Sequence, residues 1–436
     1  MSSSEIREKH RSFTFATNNY YEEPIALVRG DGTRVWDADG REYLDFFGGI
    51  LTVSLGHCHP EVTAAVREQV GRLVHVSTLY QMEPLVRLAE RLARITPGGG
   101  TLRRTFFSNS GTEADETALT LAKVHTGQTE IIALRHAYSG RSLLAQTVSA
   151  QSSYRPHGAQ VPGVVHALAP YCYRCPLGLE YPSCGVKCAQ DIEELILTAT
   201  CGRPAAFLAE PILGVGGYIT PPKEYFEVAV GIVRKHGGLF ICDEVQTGFG
   251  RTGEHWSGIV HWGVTPDITT FAKGIANGFA MGATTTTDDI AKSWKHASIS
   301  TFGGNPVSAT AALATLDVMT RENIPERAGR LGGRLREALQ GLAARHPLIG
   351  EVRGLGLMQA MELVRDRKSK EPAPRETLAL LEACKRRNLL VGKGGLFGNV
   401  IRFAPPMLIE PAEIDDAVAR IDQALSEVER GGAPVR

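Results

Sequence analysis

The amino-acid sequence predicts an α/β fold whose central sheet is mostly parallel and covered by helices, followed by a separate C-terminal domain. The first observation is the alternation of strand-like and helix-like segments between residues 66 and 325, which is typical of a parallel sheet. The second is a group of three short strand-like runs before residue 65. The third is a return to helix and strand patterns after residue 326. We therefore divide the chain into 1–65, 66–325 and 326–436.

The N-terminal segment reads as an antiparallel meander. Its short runs are separated by Asp31-Gly32 and Asp39-Gly40, which are turn-forming pairs. The three runs are Ile25–Val28, Thr33–Trp36 and Glu42–Phe46. A helical spacing of apolar residues follows from Pro60 to Leu73.

The central segment contains short apolar runs that end in polar or glycine-containing turns, as buried parallel strands do. These runs are Thr105–Phe107, Ile131–Leu134, Ala205–Ala209, Leu239–Cys242 and Ile268–Phe271. Ligands are expected at their C-terminal ends. In the C-terminal segment the predicted helices are Arg327–Ala344 and Pro411–Glu429, and the strand-like runs are Gly354–Leu363, Leu389–Val391 and Val400–Phe403.

Composition excludes several classes of function. The 436 residues carry 47 basic and 47 acidic side chains, so the formal net charge is zero and a nucleic-acid partner is not expected. No apolar run is long enough to span a membrane, and the N-terminal residues Met1–His10 are polar where a signal peptide is apolar. We therefore expect a cytoplasmic protein that does not bind membranes.

Three ionisable side chains stand just past three successive predicted strands. They are Glu210, Asp243 and Lys273, at steps of 33 and 30 residues, each about one strand–helix–strand unit. Any one of them alone is an ordinary polar residue at a strand end. Together they predict one ionisable rim, and a lysine at the mouth of a buried strand suits a nucleophilic amine of lowered pKa.

A fourth strand end predicts an anion site. The run Thr105–Asn109 leads through Ser110, Gly111 and Thr112 directly into a helix, and Ser110 and Glu113 have the spacing of a capping box. Free backbone N–H groups and the helix dipole favour a phosphate there, although a merely capped helix has the same pattern. A phosphate site, a lysine and an aspartate at one rim are the parts that pyridoxal 5′-phosphate (PLP) requires.

Several longer motifs resemble the class III aminotransferases of PLP fold type I over nearly the whole chain. They are Tyr43-Leu-Asp-Phe-Phe-Gly-Gly-Ile50, Leu55-Gly-His-Cys-His-Pro60, Asn109-Ser-Gly-Thr-Glu-Ala114, Ala209-Glu-Pro211, Asp243-Glu-Val-Gln-Thr-Gly-Phe-Gly-Arg251, Ala272-Lys-Gly274, Thr301-Phe-Gly-Gly-Asn-Pro306, Val352-Arg-Gly-Leu-Gly-Leu-Met358 and Arg402-Phe-Ala-Pro-Pro406. The chain is most similar to the alanine–glyoxylate aminotransferase 2 and omega-amino acid:pyruvate aminotransferase group. This resemblance implies a large PLP-binding domain, a small α+β domain formed by both terminal segments, and a homodimer or a dimer of dimers.

The resemblance also implies roles for individual residues. Lys273 would hold the cofactor as a Schiff base and shuttle a proton, and Asp243 would pair with the pyridine nitrogen. The other cofactor contacts would be Ser110, Gly111 and Thr112 at the phosphate, Tyr138 stacked on the ring, Gln246 at the phenolic oxygen, and Thr301 at the phosphate of the neighbouring subunit. The family usually has a histidine where Ser139 stands, which weakens the assignment of Tyr138.

Arg402 and Glu210 are the predicted substrate-binding pair. The resemblance implies that Arg402 binds a substrate carboxylate, for which a guanidinium fork is well suited. Glu210 would pair with Arg402 when the amino donor carries no carboxylate beside its amine, and the carboxylate of a 2-oxo acid such as pyruvate or glyoxylate would then replace it. A permanent structural ion pair is the alternative reading.

Two other functions remain open at this stage. An aminomutase or amino-acid epimerase of the same fold would keep PLP and Lys273. A zinc-stabilised binding module is prompted by Cys172, Cys175, Cys184 and Cys188, whose C-x2-C-x8-C-x3-C spacing could enclose a tetrahedral ion. That spacing matches no common zinc module, the thiols could simply pack in their loop, and we expect no metal.

Overall fold

A computed structural model describes residues 1–15, 19–156, 158 and 160–431. The strands, numbered along the chain, are β1 (Leu27–Asp31), β2 (Arg34–Asp37), β3 (Glu42–Asp45), β4 (Arg104–Ser108), β5 (Ile131–Leu134), β6 (Val164–Ala167), β7 (Ala206–Ala209), β8 (Leu239–Asp243), β9 (Ile268–Phe271), β10 (Gly282–Thr286), β11 (Ile349–Leu355), β12 (Met358–Asp366), β13 (Glu371–Pro372), β14 (Leu389–Leu390), β15 (Gly392–Gly394) and β16 (Val400–Phe403).

The helices, numbered in the same way, are α1 (Ser3–Phe13), α2 (Gly48–Leu51), α3 (Pro60–Arg72), α4 (Glu83–Ile95), α5 (Gly111–Thr126), α6 (Leu143–Val148), α7 (Lys187–Ala199), α8 (Tyr225–Lys235), α9 (Asp288–Lys292), α10 (Pro306–Arg321), α11 (Ile324–Arg345), α12 (Pro374–Arg386) and α13 (Pro411–Gly431). Short 3-10 helices lie at Ser152–Tyr154, Cys172–Arg174, Gly258–Trp262 and Lys273–Ala276. Among the helices of the described ranges, none combines the length and apolar character needed to cross a membrane.

The central sheet has seven strands in the order β4-β10-β9-β8-β7-β5-β6. Strands β5 to β9 run parallel, and β10 is antiparallel to both of its neighbours. Every residue of β5, β7 and β9 is buried, which explains their continuous apolar sequences. The five predicted central strands are therefore confirmed within one or two residues. Strands β6 and β10 were not predicted, because β6 is short and only partly buried and the threonines of β10 resemble a polar segment.

The two chain ends build the smaller part of the structure together. The meander β1-β2-β3 is extended by β14, which pairs in parallel with β3 through Leu389 opposite Leu44. A second sheet, in the order β11-β12-β16-β15 with β13 beside β12, is antiparallel throughout. The small α+β unit formed by both terminal segments is thus present as the sequence predicted.

One C-terminal prediction is wrong in detail. The run Gly354–Leu363, taken as a single strand, is part of a hairpin in which β11 ends at Leu355 and β12 begins at Met358. Gly356, with φ of 51°, makes the turn, and a Cβ atom there would lie 2.4 Å from the backbone of Thr252. The turn therefore needs glycine both for its conformation and for its close contact with the large domain.

Candidate active site

The ends of adjacent strands β7, β8 and β9 open into one cavity of about 160 Å³. The predicted rim residues Glu210, Asp243 and Lys273 all line it. Parallel neighbours in a sheet place their carboxyl ends at the same edge, which is why residues about thirty positions apart meet there. The remaining lining residues are Gly111, Thr112, Asp115, Tyr138, Ser139, Gly140, Val245 and Gln246.

Lys273 lies two residues past the end of β9 and opens a 3-10 helix. Its φ of 46° lies in the left-handed region, which is unfavourable for a residue with a Cβ atom and is typically retained at functional sites. Burial lowers the pKa of Lys273, whereas the carboxyl groups of Asp243 and Glu210 act in the opposite direction. The result is an amine that loses its proton more readily than an exposed lysine does.

Asp243 is the last residue of β8 and is 4% exposed. One of its oxygens, Oδ1, accepts a hydrogen bond from the backbone N–H of Val245 at 2.9 Å. Burial raises its pKa, although that N–H and the nearby Lys273 favour the anion. A second carboxyl group, Asp115 in the first turns of α5, is 1% exposed and lies close enough to Asp243 for the two to raise and lower each other's pKa.

Sequence reasoning missed Asp115, although a signal was present. Ala118 and Leu119, three and four positions further along α5, are fully buried, so Asp115 lies on the buried face of its helix. An aspartate in an apolar helical stripe has to find a polar partner inside the protein.

The predicted anion site is the N-terminus of α5, but its residues divide into two roles. Gly111 and Thr112 line the cavity, whereas Ser110 does not. The Ser110 hydroxyl accepts a hydrogen bond from the backbone N–H of Glu113 at 3.3 Å, so it caps the helix as its sequence position predicts. In a complete capping box the Glu113 side chain would accept from the N–H of Ser110. Here its carboxylate accepts a hydrogen bond from the N–H of Asn109 at 2.6 Å instead.

Gly140 closes the cavity against Thr112. Its φ is 135°, and a Cβ atom there would lie 2.1 Å from the Thr112 Oγ1 atom. The backbone N–H of Arg141 donates to the same hydroxyl at 3.3 Å. The loop after β5 and the start of α5 are thus held together at the end of the cavity that suits an anion.

Tyr138 and Gln246 line the cavity between its charged groups. The ring of Tyr138 lies edge-on to that of Tyr154, with centroids 5.0 Å apart. The Oε1 atom of Gln246 is buried and has no hydrogen-bond partner among the described residues. Gly214 makes room for this side chain, because a Cβ atom there would lie 2.4 Å from the Gln246 amide. The amide of Gln246 therefore has hydrogen-bonding capacity left for a ligand in the cavity.

Glu210 and Arg402 do not form the ion pair that the sequence suggested. The two oxygens of Glu210 accept hydrogen bonds from the backbone N–H groups of Tyr138, at 3.1 Å, and Gly214, at 2.8 Å. These contacts hold the carboxyl group away from the guanidinium. Burial raises the pKa of Glu210 to about 8, with Asp243 adding to the shift. Gly214 links the two side chains, since its carbonyl accepts a hydrogen bond from Arg402.

Arg402, on β16, is 2% exposed. Its guanidinium donates to the carbonyls of Lys393 at 3.0 Å and Gly214 at 3.2 Å, and it packs on the rings of Phe47 and Tyr218. No carboxylate of the described chain lies within ion-pairing distance of it. Arg402 is near enough to the cavity for its charge to lower the pKa of Lys273.

Thr301 is exposed in the single chain and does not line the cavity. The predicted cofactor residue that the family places across a subunit interface is therefore outside the site formed by one chain.

The four clustered cysteines are free thiols around one enclosed space of about 20 Å³. Burial raises the pKa of Cys172 and of Cys188 to about 11, which disfavours thiolates. Within the described residues, the group that brings three potential metal ligands within 4.8 Å of one another is Glu254, His255 and His261, which contains no thiol. The absence of a metal remains a prediction.

The residues present fit pyridoxal phosphate. A helix N-terminus suits the phosphate, a buried carboxylate suits a pyridine nitrogen, the NH2 group of the Gln246 amide can donate to the phenolic oxygen, and a lysine of lowered pKa suits the aldehyde. A mostly parallel sheet carrying this set at its carboxyl edge defines a PLP-dependent enzyme of fold type I.

Comparison with known proteins then identifies the family. The family model described as "Aminotransferase class-III" matches residues 15–425, and the chain belongs to this family. It is 44% identical over 409 residues to alanine–glyoxylate aminotransferase 2 homolog 2 of Arabidopsis thaliana, covering 94% of this chain and 84% of that protein. It is 36% identical to taurine–pyruvate aminotransferase of Bilophila wadsworthia, covering 94% and 93% of the two chains.

A solved structure supports the cofactor. The PLP-bound amine transaminase from an uncultivated Pseudomonas species superposes with a TM-score of 0.88 at 32% identity, covering 95% of this chain and 98% of that one. The protein is a PLP-dependent aminotransferase.

Proposed function

We propose that this aminotransferase moves an amino group from an amino acid, omega-amino acid or amine to a 2-oxo acid such as pyruvate or glyoxylate. The observation that supports this proposal best is Arg402, a buried guanidinium beside the cavity without a carboxylate partner in the described chain. A buried cation without an anion is costly, and a substrate carboxylate would offset that cost through a bidentate contact. The names of the relatives pair an amine or amino acid with a 2-oxo acid, which agrees with such a site.

We propose the remaining roles from the family resemblance, and the shared cavity supports them. When bound, pyridoxal phosphate supplies a carbonyl carbon for the amine and a ring that takes up negative charge. Lys273 would hold the cofactor covalently through Nζ, and its amine, when free, would carry a proton between the reacting carbons. Asp243 stabilises a protonated ring nitrogen, and Gly111 and Thr112 hold the phosphate. Tyr138 covers the ring and Gln246 donates to the phenolic oxygen.

The exchange of Glu210 for a substrate carboxylate at Arg402 stays a prediction, and we propose a further role for Glu210. Its two hydrogen bonds tie the loop containing Tyr138 to the loop containing Gly214, so it fixes two walls of the cavity. While Glu210 keeps these two hydrogen bonds, the carboxylate of the 2-oxo acid would bind Arg402 without having to displace it.

Half-reaction kinetics of Arg402→Ala test the substrate assignment. The cofactor absorbance is followed while an amine donor without a carboxylate, or a 2-oxo acid, is added separately. We expect the donor reaction to persist and 2-oxo acid binding to weaken about tenfold or more, because a charge-assisted bidentate contact is lost. Arg336→Ala, which removes a guanidinium bonded to the Gly354 carbonyl outside the cavity lining, is the control. Equal losses for both partners would refute the assignment.

We further propose a homodimer, with Thr301 contacting the cofactor phosphate of the neighbouring subunit. Residues 73–80 and 299–302 form an exposed apolar surface, in which Leu79, Tyr80, Ile299 and Phe302 are each more than 60% exposed. The two segments are joined by hydrogen bonds between Thr78 and Ser300. A contiguous apolar surface of this kind is typical of a protein interface. A dimer of dimers and a cytoplasmic location remain predictions, to be tested by light scattering and by cell fractionation.

A further inference from the structure

Asp115 adds a second buried carboxyl group to the cavity that Asp243 lines. The two carboxyl groups are close enough to share a hydrogen bond once one of them is protonated. They come from different elements, α5 and β8, and a third element joins them, since the Thr270 hydroxyl on β9 donates to Asp115 Oδ1 at 2.7 Å. Thr270 is also the β-sheet partner of Asp243. The contact is therefore fixed by three packed elements.

A hydrogen bond between two carboxyl groups requires one proton, because carboxylates only accept. Burial and the charge of Asp243 raise the pKa of Asp115 well above its usual range, and Glu210 adds to this effect. Asp243 has the N–H of Val245 and the amine of Lys273 to favour its anion. The proton therefore belongs on Asp115, and the negative charge belongs on Asp243.

We propose that Asp115 is a positioning residue, whose carboxylic acid donates its proton to one oxygen of Asp243 and directs the other toward the cofactor's ring nitrogen. This inference rests on the proposed role of Asp243. The donor and acceptor pattern is then complete, with the O–H of the acid donating to Asp243 and its other oxygen, Oδ1, accepting from Thr270. Asp115 thus keeps Asp243 anionic and oriented.

Two substitutions separate this role from simple packing. Asp115→Asn keeps the side-chain size and the hydrogen-bonding groups, because its N–H can donate to Asp243 and its carbonyl can accept from Thr270. We therefore expect cofactor affinity to change less than about threefold. Asp115→Leu keeps the volume and removes both contacts. We expect it to weaken cofactor binding about tenfold or more, the change expected for one charge-assisted hydrogen bond, with a cofactor-free melting temperature near that of the original protein.

Thr270→Val and Thr269→Val provide a matched pair. The Thr270 hydroxyl holds Asp115, whereas the adjacent Thr269 is fully buried and its hydroxyl has no hydrogen-bond partner in the described chain. Only Thr270→Val is expected to weaken cofactor binding. Equal effects of the two substitutions would indicate packing alone and would overturn the proposal.

Infrared difference spectroscopy of the cofactor-free protein tests the proton directly. The spectrum of the original protein minus Asp115→Asn should contain the C=O stretching band of a protonated carboxylic acid near neutral pH, shifted in heavy water. Its absence would overturn the inference even if PLP binds normally. In the cofactor-loaded proteins, the nitrogen-15 chemical shift of labelled PLP should indicate a protonated ring in Asp115→Asn and a less protonated one in Asp115→Leu. An unprotonated ring in the original protein would instead refute the proposed role of Asp243.

Discussion

Lys273 combines a left-handed backbone, burial and neighbouring carboxyl groups, and these features give the sharpest prediction for a single residue. We expect Lys273→Ala to lower turnover by about 10²–10⁴-fold or more, because both the attachment point and the proton-transferring amine are lost. Borohydride should fix cofactor mass on Lys273 in the original protein and leave the variant unmodified. Lys292→Ala, at the end of α9, is the control. Ordinary turnover in Lys273→Ala would contradict the central assignment.

At the scale of structural elements, Gly140 decides how closely the loop after β5 approaches α5. Gly140→Ala would place a Cβ atom 2.1 Å from Thr112 Oγ1 at a φ that is unfavourable for alanine, so Thr112 has to move. We expect the dissociation constant of the cofactor to rise about tenfold, the change expected for the loss of one charge-assisted hydrogen bond. Equilibrium dialysis of the cofactor measures it. Gly71→Ala, in α3 with open space around it, should have no such effect.

His346 ties the end of α11 to α13. Its Nδ1 lies 2.8 Å from Glu429 and its Nε2 lies 2.6 Å from Asp422, so both nitrogens face carboxylates. Burial lowers the pKa of His346, but the two carboxylates outweigh it and the net shift is upward. A raised folded-state pKa means that the stabilisation is fully present below the usual histidine pKa and is lost as the pH rises through the raised value.

We therefore expect His346→Gln to destabilise the protein by about 1–3 kcal/mol near pH 5.5 and by less near pH 9. Denaturant unfolding at the two pH values measures this difference. His125→Gln, whose ring contacts the Ser293 hydroxyl at 2.8 Å, is the control. A destabilisation that does not depend on pH would show that packing, and not the ion pairs, explains the effect.

For the whole molecule, the proposed sharing of active sites predicts complementation between chains. Lys273→Ala and Thr301→Ala homodimers should each be impaired, whereas hybrids should contain one site with neither change. In the hybrids about one half of the sites should be intact, because both defects fall in the same site. Random exchange makes about half of the dimers hybrids, so we expect about one quarter of all sites to become active. Mass spectrometry verifies the exchange. Hybrids that form but recover no activity would count against shared sites.

Much of the central sheet was predictable because strands such as β5, β7 and β9 are short, apolar and fully buried. Both ends of β5 and of β9 were predicted correctly. Glu210, Asp243 and Lys273 meet in one cavity, as their strand-end positions suggested. Strand β10 is an exception. It is threonine-rich, and its burial depends on its place between β4 and β9, which the local sequence does not reveal.

The sequence by itself determined the family, the parallel sheet and the ionisable rim, since these follow from periodicity and from motifs along the chain. The tertiary structure alone decided which polar groups face one another. In the folded chain the Ser110 hydroxyl caps α5, and Glu210 accepts hydrogen bonds from backbone N–H groups and does not pair with Arg402. Asp115 lies close to Asp243. Hydrogen bonds act over about 3 Å, so partners from distant segments depend on packing that local sequence patterns do not record.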